Sequence, residues 1–269
     1  MLRKKILLVA VFIGATFLAK NIRAEEFDYQ KAYQDYQYNL SLYNKLNDEY
    51  RLSRARYIQY KTLLSEEEAK QATLAMLQAR DETIKTYLTA LRMRIMENKG
   101  LSDGERESLF RRIDPEVSYF EEHKEKLASV GSLKDFVKDS DEAKDRFSNS
   151  TEIVFYTALT NISIGNTAHE RKQIEKVILD LRSKITEIKL AGDKDVSVFD
   201  RFFVKLDNKL QRSREKETNA KDIIAASEKS YKNKINYYND AMGAVQESYL
   251  YLKESVSYLK EIIRLIKTK

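Results

Sequence analysis

A chain of 269 residues, 33% charged and 42% apolar, can bury a substantial core, which excludes disorder throughout. With no cysteine it has no disulfide framework, no thiolate chemistry and no lipid-modified cysteine. Its formal charge of +6 resides mainly at the N-terminus: residues 1–24 hold five of the 48 Lys and Arg and none of the 42 acids, and the remaining 43 against 42 leave no electrostatic footprint for nucleic acid.

In chain order, Arg3, Lys4 and Lys5 precede an apolar run from Ile6 to Ala19, closed off by Lys20 and Arg23. The run is shorter than the roughly 20 residues of a membrane-spanning helix. It predicts a secretory signal over residues 1–24, cleaved after Ala24, and hence a secreted or envelope-associated protein. Left uncleaved, the same segment is an N-terminal membrane anchor.

Residues 25–269 predict one all-α domain: an elongated antiparallel helical bundle with coiled-coil-like seams, four long helices and a short one. Tyr29, Tyr36, Tyr43, Tyr50 and Tyr57 recur every seven residues, which predicts helix 25–64. Ser65 with Glu68 reads as a capping box and the apolar seam changes phase there, which predicts a second helix over 66–99, in a hairpin or as the continuation of one bent rod. Gly100 to Gly104 is a loop. Asp114 and Pro115 read as cap and first turn of a short helix over 115–129. After Gly131, Ser132 caps a helix over 133–190, with Gly165 to Thr167 as a candidate kink. Gly192 to Asp195 is the last turn.

From Phe203 to Ile266 an apolar stripe runs every seven residues through Leu210, Ile224, Tyr231, Tyr238, Val245, Leu252 and Leu259, broken only by Glu217. It predicts one helix over 196–267, a rod of about 95 Å for the stripe alone. Its companion row is small and polar at Ser213, Ala220 and Ser227, and bulkier beyond, so a thin, wet stretch is expected around Ser213 to Ser227.

No catalytic constellation emerges. His169-Glu170-Arg171-Lys172-Gln173 lacks the second histidine of a two-histidine zinc helix, and His123 has no local partner. Asp139, Asp141 and Asp145 resemble a calcium loop, but Ala143, Lys144 and Ser150 stand where an oxygen ligand, glycine and glutamate are needed, so solvated helix surface is the expectation. No glycine spacing fits a phosphate-cradling loop or a nucleophile elbow. No cofactor or metal is expected, nor an enzyme.

Seventeen tyrosines are the most unusual feature, eight in the first predicted helix and six in the last. Their ring bodies suit a seam between those two helices while the hydroxyls reach water. Off the main stripes, Tyr38, Tyr237 and Tyr251 are candidates for an aromatic partner surface. The sequence therefore predicts a non-enzymatic scaffold or protein-binding module at the cell envelope, self-associating or partner-bound. The alternative is a ligand-sensing or substrate-holding bundle with a polar gap at Ser213, Glu217 and Ser227. Peripheral membrane contact is expected through the N-terminal segment or through the basic end of the last helix, where Lys253, Lys260, Arg264 and Lys267 surround an apolar face.

Overall fold

The computed structural model describes residues 28–190, 197–227, 229–230 and 233–268. The predicted signal, the turn at 192–195 and Tyr231 of the long stripe lie outside them. The described residues are almost entirely helical and form an all-α helical bundle. The helices are α1 (Tyr29–Tyr60), α2 (Leu63–Glu97), α3 (Asp103–Leu127), α4 (Leu133–Arg146), a π-helical turn (Phe147–Thr151), α5 (Glu152–Leu190), α6 (Ser197–Ser227) and α7 (Lys234–Thr268).

α1 and α2 form an antiparallel hairpin. Lys61, in the left-handed region at φ 51°, ends α1 by donating its N–H to the Tyr57 carbonyl. Thr62 then caps α2 in a reciprocal box with Ser65. The predicted break is thus a real hairpin, but its cap is Thr62, and Ser65 is the third helical residue. α1 packs broadly on α2 alone. This corrects the expectation that its tyrosines lie against the last helix: the α2 stripe offers the nearer apolar face, with no long connection to close.

The cap of α3 is Ser102, twelve residues before the expected Asp114. Ser102 and Glu105 form a capping box, with Ser102 N–H donating to Glu105 Oε2 at 2.8 Å. Pro115 therefore stands inside the helix, where it has no N–H for the Arg111 carbonyl, a cost of about 3 kcal/mol. Leu109, Ile113 and Phe120 on either side of it are buried against Leu88, Leu91 and Ile95 of α2. At roughly 1.5–3 kcal/mol each, their burial outweighs the break.

The predicted helix 133–190 is interrupted by the π turn. Its wider winding lets neighbours Ser150 and Thr151 both donate to buried Glu116 of α3, at 2.6 and 2.7 Å, beside Arg146. α5 then runs unbroken through Gly165, where no helix boundary occurs. The glycine serves a close approach: a Cβ on Gly100 would lie 1.6 Å from the Gly165 carbonyl oxygen. Asn98 locks the α2–α3 turn there, donating to the Ile162 carbonyl at 2.8 Å and to Asn166 Oδ1 at 3.1 Å.

The largest correction concerns the long rod. α6 and α7 are separate helices, with Asn233 at φ 63° between them. The stripe folds onto itself: Phe203 and Leu210 share a core with Leu252 and Leu259, and Ile224 with Val245. Lys216–Glu247 (2.6 Å), Ser213–Ser248 (2.8 Å) and Lys209–Glu254 step in opposite directions along the two helices, as an antiparallel pair requires. α5 joins both halves. Val154, Ala158 and Ile162 complete the core of α2, α3 and α4, while Ile164, Ile178 and Ile185 pack with α6 and α7.

Candidate functional site

The foot of the first hairpin carries an aromatic groove of about 380 Å³, lined by Tyr29, Tyr33, Tyr36, Tyr87, Arg94 and Leu159 among others. Spacings of four and three residues put Tyr29, Tyr33 and Tyr36 on one face of α1. The end of that helix is fastened twice: Asp28 caps it by accepting from Lys31 N–H, and Tyr29 N–H donates to Glu97 Oε1 of α2 at 2.8 Å. The rings then run in series. Tyr29 stacks on Tyr33 at 5.6 Å, Tyr33 meets Tyr36 at 5.7 Å, Tyr36 meets Tyr87 at 4.8 Å, and Tyr87 meets Phe155 of α5 edge-on at 5.0 Å. The Arg94 guanidinium lies 5.0 Å over the Tyr29 ring.

Burial pushes the Tyr87 phenol up to about 12, helped by the surrounding tyrosines, and raises Tyr36 in the same way. Both stay neutral at physiological pH. Among the described residues no hydrogen bond is made by the hydroxyls of Tyr29, Tyr33, Tyr36 or Tyr87. The lining offers aromatic faces, phenol donors and one guanidinium, but no paired carboxylates, imidazole or activated nucleophile.

The expected polar gap is closed. Ser213, Glu217 and Ser227 are all buried, in the seam between α5, α6 and α7. Ser213 and Ser248 share a hydrogen bond, Glu217 pairs with Arg171 of α5, and Ser227 donates to the Ile224 carbonyl at 2.6 Å. Tyr38 is exposed on α1. Tyr237 and Tyr251 are half-buried on α7, Tyr251 beneath Lys209 and Arg212. Since α1 does not pack on α7, these three rings do not form one surface. At the basic C-terminal end, Leu252, Leu259 and Ile262 are buried in the α5–α7 core, so a lipid surface would compete with that packing.

One cluster gave no sign of itself in the sequence. His123 is buried with its Nδ1 2.5 Å from Asp81 Oδ2 and its Nε2 3.1 Å from the Asp139 carbonyl, joining α3 to α2 and α4. Asp139 is buried, not solvated as expected; Asp141 and Asp145 are exposed. The signal was obscured because Asp81 and His123 stand 42 positions apart. With both ring nitrogens engaged, the imidazole is committed to holding three helices together and has no nitrogen left for a substrate. Among the described residues no three His, Asp or Glu side chains converge to hold a metal ion.

No protein-family model matches the chain, and no curated protein and no solved structure matches it either.

Proposed function

We propose that this protein is exported and works without catalysis, as a helical scaffold that holds a protein partner at the cell envelope. The observation that carries this reading is the aromatic groove: four tyrosines and an arginine at the base of the hairpin, their rings stacked in series and no reactive group among them. Tyrosine and arginine are enriched among the residues that dominate protein interfaces, because they offer large contact area and directed polar atoms at low entropic cost. Ring stacking pre-orders the groove, which reduces what a partner loses on binding. The N-terminal segment supports export. A small ligand at Ser213, Glu217 and Ser227 has weaker support, since Ser248, Arg171 and the Ile224 carbonyl already satisfy those side chains.

The test compares wild type with Tyr33→Ala/Tyr36→Ala in affinity capture from the native envelope. A protein retained by wild type and lost by the variant is the expected result. Identical capture by a correctly folded variant would remove the groove from the account.

A further inference from the structure

The opposite end of the first hairpin is built quite differently from its foot. α3 and α4 last pack onto it at Tyr50 and Leu74. Beyond that the two helices project together for about eleven more residues of α2, roughly 16 Å at 1.5 Å per residue. At the extremity four large apolar side chains stand in solvent within seven positions: Ile58 (55% exposed), Tyr60 (61%), Leu63 (87%) and Leu64 (72%).

These four do not share a face. At about 100° per residue, Ile58 and Tyr60 fall on opposite flanks of the α1 seam formed by Tyr50, Ser53 and Tyr57. Leu63 and Leu64 both turn away from the α2 seam of Ser65, Ala69 and Ala72. A flat partner or one side of a second copy would cover only part of such a set. A medium that surrounds the tip would cover all of it.

The turn closes partly on its own polar groups. Lys61 N–H is taken by the Tyr57 carbonyl, Thr62 N–H by Ser65 Oγ, Ser65 N–H by Thr62 Oγ1, and the Thr62 carbonyl accepts from Glu66 N–H. Charges of both signs stand among and beside these side chains: Lys61 on the turn itself, Arg54 and Arg56 on α1, and Glu66, Glu67 and Glu68 on α2. Only Arg56 and Glu68 meet, at 4.0 Å. Opposite charges within about one helical turn of exposed apolar and tyrosine side chains complement phospholipid headgroups, which carry both signs themselves, and the long Lys61 and arginine side chains can reach up to them. No described helix is long and apolar enough to cross a membrane.

We propose that the α1–α2 tip dips into a phospholipid surface, with Ile58, Tyr60, Leu63 and Leu64 at or below the headgroups. The groove lies at the other end of α1, so this inference stands apart from the proposed function and each can fail alone. Because the charges nearly cancel, binding is apolar in origin, with little dependence on anionic lipid or salt.

The chain has no tryptophan, so Leu64→Trp places a single reporter at the tip. The full chain carrying it is titrated with phosphatidylcholine vesicles, with and without phosphatidylserine, at low and high salt. Val204→Trp, at an exposed position on α6, is the control. The expected result is a blue shift and quenching by shallowly brominated lipid at position 64 and neither at position 204. Adding Tyr60→Glu and Leu63→Glu should raise the lipid concentration for half-maximal shift at least about tenfold. Because the reporter is local, the apolar N-terminal segment cannot imitate this pattern. Four results would overturn the proposal: no shift at position 64, a shift of equal size at both positions, a shift that needs anionic lipid and vanishes in salt, or a concentration-dependent shift without vesicles, which would assign the tip to a second copy.

Discussion

Gly100→Ala tests the contact that locks the two halves of the bundle together. The added Cβ would stand 1.6 Å from the Gly165 carbonyl oxygen and 2.5 Å from its carbon, both backbone atoms of a continuous helix. An ordinary contact needs about twice the shorter distance, so the α2–α3 turn must withdraw by roughly 1.5 Å. Asn98 withdraws with it, and its bonds to the Ile162 carbonyl and Asn166 Oδ1 are lost. Two hydrogen bonds at about 1 kcal/mol each, plus about 1–3 kcal/mol for overpacking, give a destabilisation of about 3–5 kcal/mol. The measure is urea unfolding followed by helical circular dichroism. Gly243→Ala in α7 is the counterpart: nothing lies within 4 Å of its added Cβ, so ordinary helix propensity should make it more stable by about 1 kcal/mol. A Gly100→Ala protein within about 0.5 kcal/mol of wild type would refute the steric argument.

Other consequences follow from buried charges and from the termini. Glu217→Ala leaves the Arg171 guanidinium in the α5–α7 seam with only the longer 3.6 Å contact to Glu175 and should cost about 3 kcal/mol on denaturation. Arg171→Met combined with Glu217→Leu should recover most of that loss, and a double variant as weak as the single one would contradict the pairing. Burial by itself would raise the Glu105 carboxyl, but hydrogen bonds from Lys221 and Ser102 outweigh it and hold it at about 2. A depressed carboxylate adds stability above the unfolded value near 4.5 that disappears as pH falls towards 2. Acid titration of Glu105→Gln should therefore show a shallower loss across that window; an unchanged slope would mean the ion pair contributes nothing. The intact mass of the protein recovered outside the cytoplasm should correspond to a chain beginning at Glu25, and retention of residues 1–24 would indicate an anchor instead.

Heptads made the all-α class and most helix bodies legible, because a period of seven needs only local spacing. The ends were harder. No Gly or Pro marks the α6–α7 turn, so an unbroken stripe read as one rod when its two halves were each other's partner. The register survives the turn, and nothing in a single strand of sequence separates a seam that meets itself from one that meets another helix. Pro115 misled in the opposite direction, since its penalty is visible in the sequence and the burial of Leu109, Ile113 and Phe120 is not. Ser213 and Glu217 looked wet because they are polar; Ser248 and Arg171, which satisfy them, arrive from other helices. The tyrosine groove was half legible. The stripe of α1 was plain, but Tyr87, Arg94 and Leu159 come from α2 and α5, and only the fold brings them beside Tyr33 and Tyr36.

Photo-crosslinking from α1 tests the partner claim most directly. A photoreactive phenylalanine analogue replaces Tyr33, inside the groove, or Tyr38, exposed five residues along the same helix. Irradiation in the native envelope should give a discrete adduct with another protein from position 33 and none from position 38. No adduct from position 33, or equal adducts from both, would contradict the groove as the site where this scaffold holds its partner.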